Sequence, residues 1–157
     1  MTRHIITLAC VLFALSCSKD SSTSPQEASA NVAQYAGVWT GTTRQNLPVY
    51  FRITSQGVID SLTVRIRLNV GPYSCNATLT KDSGVTVQNG AFVGRVKLPG
   101  STVFTRVRAT LGSTSIAQGT YDSYWASSAV ACGAIFFYGS SDSLIGTGSW
   151  TATKTGQ

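Results

Sequence analysis

After residue 30 the chain contains no histidine and no glutamate, and its only carboxylate side chains there are Asp60, Asp82, Asp122 and Asp142. The commonest general base is therefore missing, and with it the Ser–His and Cys–His nucleophile systems. An aspartate pair for glycoside hydrolysis would need two of four scattered residues to converge. Lys81, Lys97 and Lys154 leave a Ser–Lys pair formally open, but no spacing motif marks one. These absences argue against an enzyme. Charged residues make up only 11% of the chain, against about 25% in an ordinary globular protein. Apolar runs of about 20 residues are absent from the body of the chain, which excludes a multi-spanning helical membrane protein. Heptads rich in Ala, Glu, Lys and Leu are also absent, which excludes a coiled coil. No helix longer than a turn is expected, so no glycine-rich phosphate loop has a helix dipole behind it. What remains is 43% hydrophobic, enough for a packed core, and 157 residues, room for one domain and not two.

The first residues form a targeting segment. Arg3 and His4 give a short basic start, and Ile5–Leu15 is nearly all apolar. That run is too short to span a bilayer and fits the hydrophobic region of a secretory signal. The segment ends Ala14-Leu15-Ser16-Cys17. This resembles the lipobox of bacterial lipoproteins, with Ala14 where that family prefers leucine. The resemblance implies cleavage before Cys17 and an acyl anchor on Cys17 itself. Residues 18–27 are polar and carry no hydrophobic side chain, so they read as a flexible tether. The expected organisation is a signal peptide over 1–16, a lipidated Cys17 with its tether over 17–30, and one folded domain over 31–157.

Cys10 leaves with the signal and Cys17 takes the lipid, so Cys75 and Cys132 remain for the domain. An even number in an exported domain predicts a disulfide between them. Two cysteines with no His or Glu nearby make a poor zinc site, so no metal and no cofactor is expected.

Period-two alternation predicts an all-β domain. Val49, Phe51 and Ile53 alternate with Tyr50, Arg52 and Thr54. Leu62, Val64, Ile66 and Leu68 alternate with Thr63, Arg65 and Arg67. Further alternation runs from Phe92 to Leu98 and from Val103 to Leu111. Asn89-Gly90 predicts a two-residue hairpin and Pro99-Gly100 a type II turn. Strands are expected near 38–44, 48–55, 58–69, 74–80, 84–88, 91–98, 102–111, 115–121, 129–138 and 144–154. Short links favour an antiparallel up-and-down meander of about 8–10 strands closing into a small barrel, because closure removes exposed edges. The alternative is a two-sheet sandwich, for which an inter-sheet disulfide is the argument. The segment Tyr35-Ala36-Gly37-Val38-Trp39-Thr40-Gly41 resembles the Gly-x-Trp opening of lipocalin-like calycin barrels. That resemblance implies a barrel with Trp39 plugging one end and Trp150 beside it, and it carries over no binding residues.

Counted from residue 31 there are ten Lys or Arg and four Asp, a net charge of +6. Arg52, Arg65, Arg67, Arg95, Lys97, Arg106 and Arg108 all fall on the polar parity of their strands, together with Tyr50 and Phe104. On neighbouring strands they would share one outer face, suited to anionic envelope material or an acidic protein. A second candidate site is Tyr121-Asp122-Ser123-Tyr124-Trp125, read as a loop whose Tyr121, Tyr124 and Trp125 line a ligand opening at the barrel mouth. The function expected is a membrane-anchored lipoprotein of the bacterial cell envelope that binds without catalysis. Its ligand is either a small apolar or amphipathic molecule inside the barrel or a partner of the basic face. An envelope lipoprotein argues against nucleic acid as that partner. The sequence leaves the oligomeric state open.

Overall fold

In the computed structural model, which describes residues 31–70, 73–125, 128–132, 134–137 and 143–156, every alternating segment is an antiparallel strand. The strands are β1 (Gly37–Thr43), β2 (Pro48–Ile53), β3 (Val58–Val70), β4 (Tyr73–Lys81), β5 (Val85–Thr86), β6 (Ala91–Lys97), β7 (Phe104–Leu111) and β8 (Ile116–Trp125). They continue with β9 (Ser128–Ala131), β10 (Ala134–Phe137) and β11 (Ser143–Gly156). The signal segment, Cys17 and Asp142 lie outside the described residues.

Eight strands form a closed meander in the order β1-β2-β3-β4-β6-β7-β8-β11, with β11 returning to pair with β1. The short β5 pairs with the start of β3 as an extra strand, and β9 and β10 form a separate hairpin. The fold is thus the barrel and not the sandwich. The disulfide that argued for a sandwich does form, between Cys75 and Cys132, but it joins β4 to the turn of the β9–β10 hairpin.

Alternation sorts the barrel into an inside and an outside. Phe51 and Ile53 of β2 are buried while Tyr50 and Arg52 face out. Leu62, Val64, Ile66 and Leu68 of β3 are buried likewise. The upper end of the barrel carries the β1–β2, β3–β4 and β6–β7 turns and the β8–β11 connection. The lower end carries the β2–β3 and β7–β8 turns and residues 31–36. An aromatic cluster fills the interior around Phe51. Trp39 stacks on it at 5.5 Å between ring centroids. Phe92 and Trp150 meet it edge-on at 5.5 and 5.8 Å. The Trp39 indole donates to the Tyr35 carbonyl at 3.0 Å. Trp39 and Trp150 therefore share one core with Phe51 between them.

Turn chemistry follows the residues. Asn89 and Gly90 both have positive φ (51° and 70°), as a two-residue hairpin of the primed type requires. Gly100 has φ 71° and the Ser101 amide donates to the Leu98 carbonyl, the type II arrangement. Gly119 is demanded by packing. A Cβ there would stand 1.9 Å from the Arg108 carbonyl oxygen and 2.6 Å from the Trp150 ring.

Three expectations change. The strand expected over 115–121 continues to Trp125, so Tyr121–Trp125 is sheet and not loop. The inward row of β8 is Ala117, Gly119, Tyr121, Ser123 and Trp125, and its glycine and serine hide the apolar period. The single strand expected over 129–138 is two strands, because Cys132 takes a left-handed turn with φ 54°. The strand near 84–88 shrinks to Val85–Thr86.

Candidate functional site

The seven predicted cations all lie on the outer surface, on β2, β3, β6 and β7. They do not form one stripe. Strand β4 lies between β3 and β6, and its outward residues Asn76, Thr78 and Thr80 are uncharged. One group is Arg52, Arg65 and Arg67; the other is Arg95, Lys97, Arg106 and Arg108.

Each described aspartate is taken by cations. Asp60 accepts from Arg52 Nε at 2.7 Å and from a second guanidinium nitrogen. Asp82 lies 3.4 Å from Arg95 and 4.0 Å from Lys97. Asp122 pairs with Arg108. The Arg52 hydrogen bond holds the Asp60 carboxyl below its ordinary value, against an opposing push from burial. Burial raises the Tyr121 phenol.

The second group of cations is built into an aromatic row. Lys97 of β6, Phe104 of β7, Tyr124 of β8 and Leu144 of β11 are successive cross-strand partners. Phe104 and Tyr124 stack with centroids 5.2 Å apart and planes 18° apart. The Arg95 guanidinium lies 4.1 Å over the Phe104 ring, and that of Arg106 lies 5.7 Å from the Tyr124 ring. Leu144 is 55% exposed at the far end of the row. Cation–π contacts of this kind contribute about 0.5–1 kcal/mol at exposed sites and fix the guanidinium planes. Four to six residues further down these strands, an outer groove of about 540 Å³ crosses β7, β8 and β11, lined in part by Arg108, Thr110, Gln118, Thr120 and Thr151.

The three aromatics predicted to line one opening are divided by parity. Tyr121 and Trp125 point inward and are buried; Tyr124 points outward into the aromatic row. Sequence reasoning placed Phe104 on the outer parity but missed its stack on Tyr124, because Tyr124 was assigned to a loop. The signal was present: Asp122 and Tyr124 continue the outward register of Gln118 and Thr120. The inner polar pair Thr105 and Ser123, hydroxyls 2.8 Å apart, was also missed. Among the described residues no group of three or more His, Cys, Asp or Glu is placed to hold a metal ion.

No protein-family model matches the chain. No curated protein matches it either. Among solved structures, one described as EF1p2_mFAP2b bound to DFHBI is similar with a TM-score of 0.46 and 10% identity, covering 83% of this chain and 99% of its own.

Proposed function

We propose that this protein is a lipid-anchored, non-catalytic binding barrel of the bacterial envelope that takes anionic glycan on the outer face of β6, β7, β8 and β11. The observation that carries the reading is the row in which Arg95 and Arg106 are held against the stacked rings of Phe104 and Tyr124. Guanidinium groups fixed in this way suit planar carboxylate or phosphate groups. The sector carries four cations, Arg95, Lys97, Arg106 and Arg108, against two anions, Asp82 and Asp122, an excess of two. The neighbouring hydroxyl and amide side chains offer donors and acceptors for sugar hydroxyls. The aromatic cluster around Phe51 occupies interior space, which favours the outer surface for a ligand.

An anchor on Cys17 is compatible with this site. Residues 17–30 lie between the proposed lipid site at Cys17 and the described barrel. They join the barrel at its lower end, whereas Phe104 opens β7 and Tyr124 stands near the end of β8, both at the upper end. The row therefore lies at the end of the barrel opposite the one that the proposed anchor would enter. The disulfide fits an oxidising compartment.

Two measurements test this reading. Metabolic labelling with a fatty-acid probe should mark the wild type and leave Cys17→Ser unlabelled; equal labelling of both removes the anchor. The whole protein should bind polygalacturonate at low salt and lose most of that binding at high salt. Arg95→Glu with Arg106→Glu should weaken it at least tenfold, about 1.4 kcal/mol or more, while uncharged dextran binds neither protein. Preference for anionic phospholipid vesicles over polygalacturonate would move the assignment to lipid headgroups. Quenching of tryptophan emission by an apolar probe, unaffected by the double substitution, would move it to the interior.

A further inference from the structure

Strand β4 pairs with β3 from Tyr73 to Thr80, but with β6 only at Thr80 and Lys81. Above Thr80 the two strands part, and among the described residues no strand pairs with that side of β4. The seam shows which backbone groups this leaves. The Asp82 amide donates to the Arg95 carbonyl at 3.0 Å, so residue 82 turns its backbone toward β6. Alternation then gives residues 80, 78, 76 and 74 the same direction, and residues 79, 77 and 75 the direction of β3. The β3–β4 register runs through this stretch without a shift. Ser74, Asn76 and Thr78 therefore each present an amide and a carbonyl to the open side, and their side chains are exposed.

Natural sheet edges are usually blunted by lysine, proline, a bulge or a covering segment. From Ser74 to Leu79 there is no charged residue and no proline. The disulfide does not fill the edge, because Cys75 shares the inward parity of Ala77 and Leu79. The charge beside the edge has one sign. Arg65 and Arg67 stand opposite Thr78 and Asn76 on β3. Arg67 Nε donates to Asn76 Oδ1 at 3.5 Å, so its guanidinium leans toward β4. Among the described residues neither Arg65 nor Arg67 has a carboxylate partner.

We propose that this edge of β4 receives an extended acidic segment of a partner polypeptide. The segment adds a strand beside Ser74, Asn76 and Thr78 and brings its outward carboxylates within reach of Arg65 and Arg67. Main-chain bonds supply the affinity of such strand addition, and alternate side chains supply its specificity. A second copy of this chain is a worse occupant. Antiparallel pairing of two β4 edges would set the Arg65–Arg67 pairs of both copies on one continuous sheet face, where like charges repel.

The test uses the whole protein and a fluorescein-labelled peptide of four Glu-Val repeats, with four Lys-Val repeats as control. The acidic peptide should bind at least tenfold more tightly. Amide hydrogen exchange at Ser74, Asn76 and Thr78 should slow on binding, while Cys75, Ala77 and Leu79, whose amides face β3, change little. Thr78→Pro removes only an open-side donor, a position where an edge strand accepts proline, so it should fold and bind at least tenfold more weakly. If Thr78→Pro does not fold, Arg65→Glu with Arg67→Glu should produce the same loss. Arg95→Glu with Arg106→Glu, on the other face, should leave peptide binding intact. Equal binding of the two peptides, or unchanged exchange at residues 74, 76 and 78, overturns the proposal. So does slowing of those amides that grows with protein concentration without peptide, which would give the edge to a second copy.

Discussion

Cys132→Ser should lower the stability of the domain by roughly 4 kcal/mol at 25 °C. The bond closes a segment of 57 residues, and in the chain-entropy model a loop of that length restricts the unfolded chain by about this amount. The native geometry does not oppose it: the two Cα atoms are 5.3 Å apart, inside the usual range. Local structure adds a second reason. Among the described residues β9 and β10 pair only with each other, and an isolated two-stranded hairpin is marginal in water. The pin at Cys132 holds that hairpin to the inner side of β4, where Cys75 and Cys132 are both half-buried against the core. Chemical denaturation with and without a reductant checks the figure. Cys75→Ser, Cys132→Ser and the double substitution should all resemble the reduced wild type, since each removes the same bond. A loss below about 1 kcal/mol in all three would mean that the hairpin is held by its own packing and that the unfolded chain keeps structure around the loop.

The disulfide and the closed meander were both legible in the residues, for different reasons. Two domain cysteines admit one intramolecular pairing, so counting sufficed. The barrel followed from alternation wherever the inward residues are uniformly apolar, as in β2 and β3. Reading failed where inward positions are small or polar. In β8, Gly119 makes room for the Trp150 ring and Ser123 is satisfied by Thr105, so its inner row does not look apolar. That concealment turned the second half of β8 into a loop and grouped at one opening three aromatics that parity divides between inside and outside. The cation face shows another limit. Parity shows that seven cations point outward, but not that the uncharged outer row of β4 separates them. Which strands are neighbours is a tertiary fact, and the β4–β6 seam shortens to two residue pairs with no local signal in either strand. The open edge of β4 was for this reason invisible in the sequence, although the Arg65 and Arg67 spacing beside it was plain.

Phe51→Ala should cost the domain about 3–5 kcal/mol, the usual price of truncating a buried phenylalanine to alanine. Phe51 is fully buried and is the ring that Trp39, Phe92 and Trp150 all meet. Its removal takes away apolar burial and three aromatic contacts, each contributing about 0.5–1.5 kcal/mol beyond area alone. The walls around it come from a closed barrel, whose circumference is set by its strands and cannot shrink to fill the hole. A small domain has only about 5–15 kcal/mol in total, so the variant should sit near the unfolding threshold at 37 °C. Tyr50→Ala, one residue away on the outer parity, is the control and should change stability by about 0.5 kcal/mol or less. Denaturant midpoints measure both. Tryptophan emission should shift to the red in Phe51→Ala alone, as water gains access to Trp39 and Trp150. A cost near 1 kcal/mol would show that the interior has slack around Phe51. A ligand would then have room inside the barrel, and the argument placing it on the outer aromatic row would lose its support from a filled core.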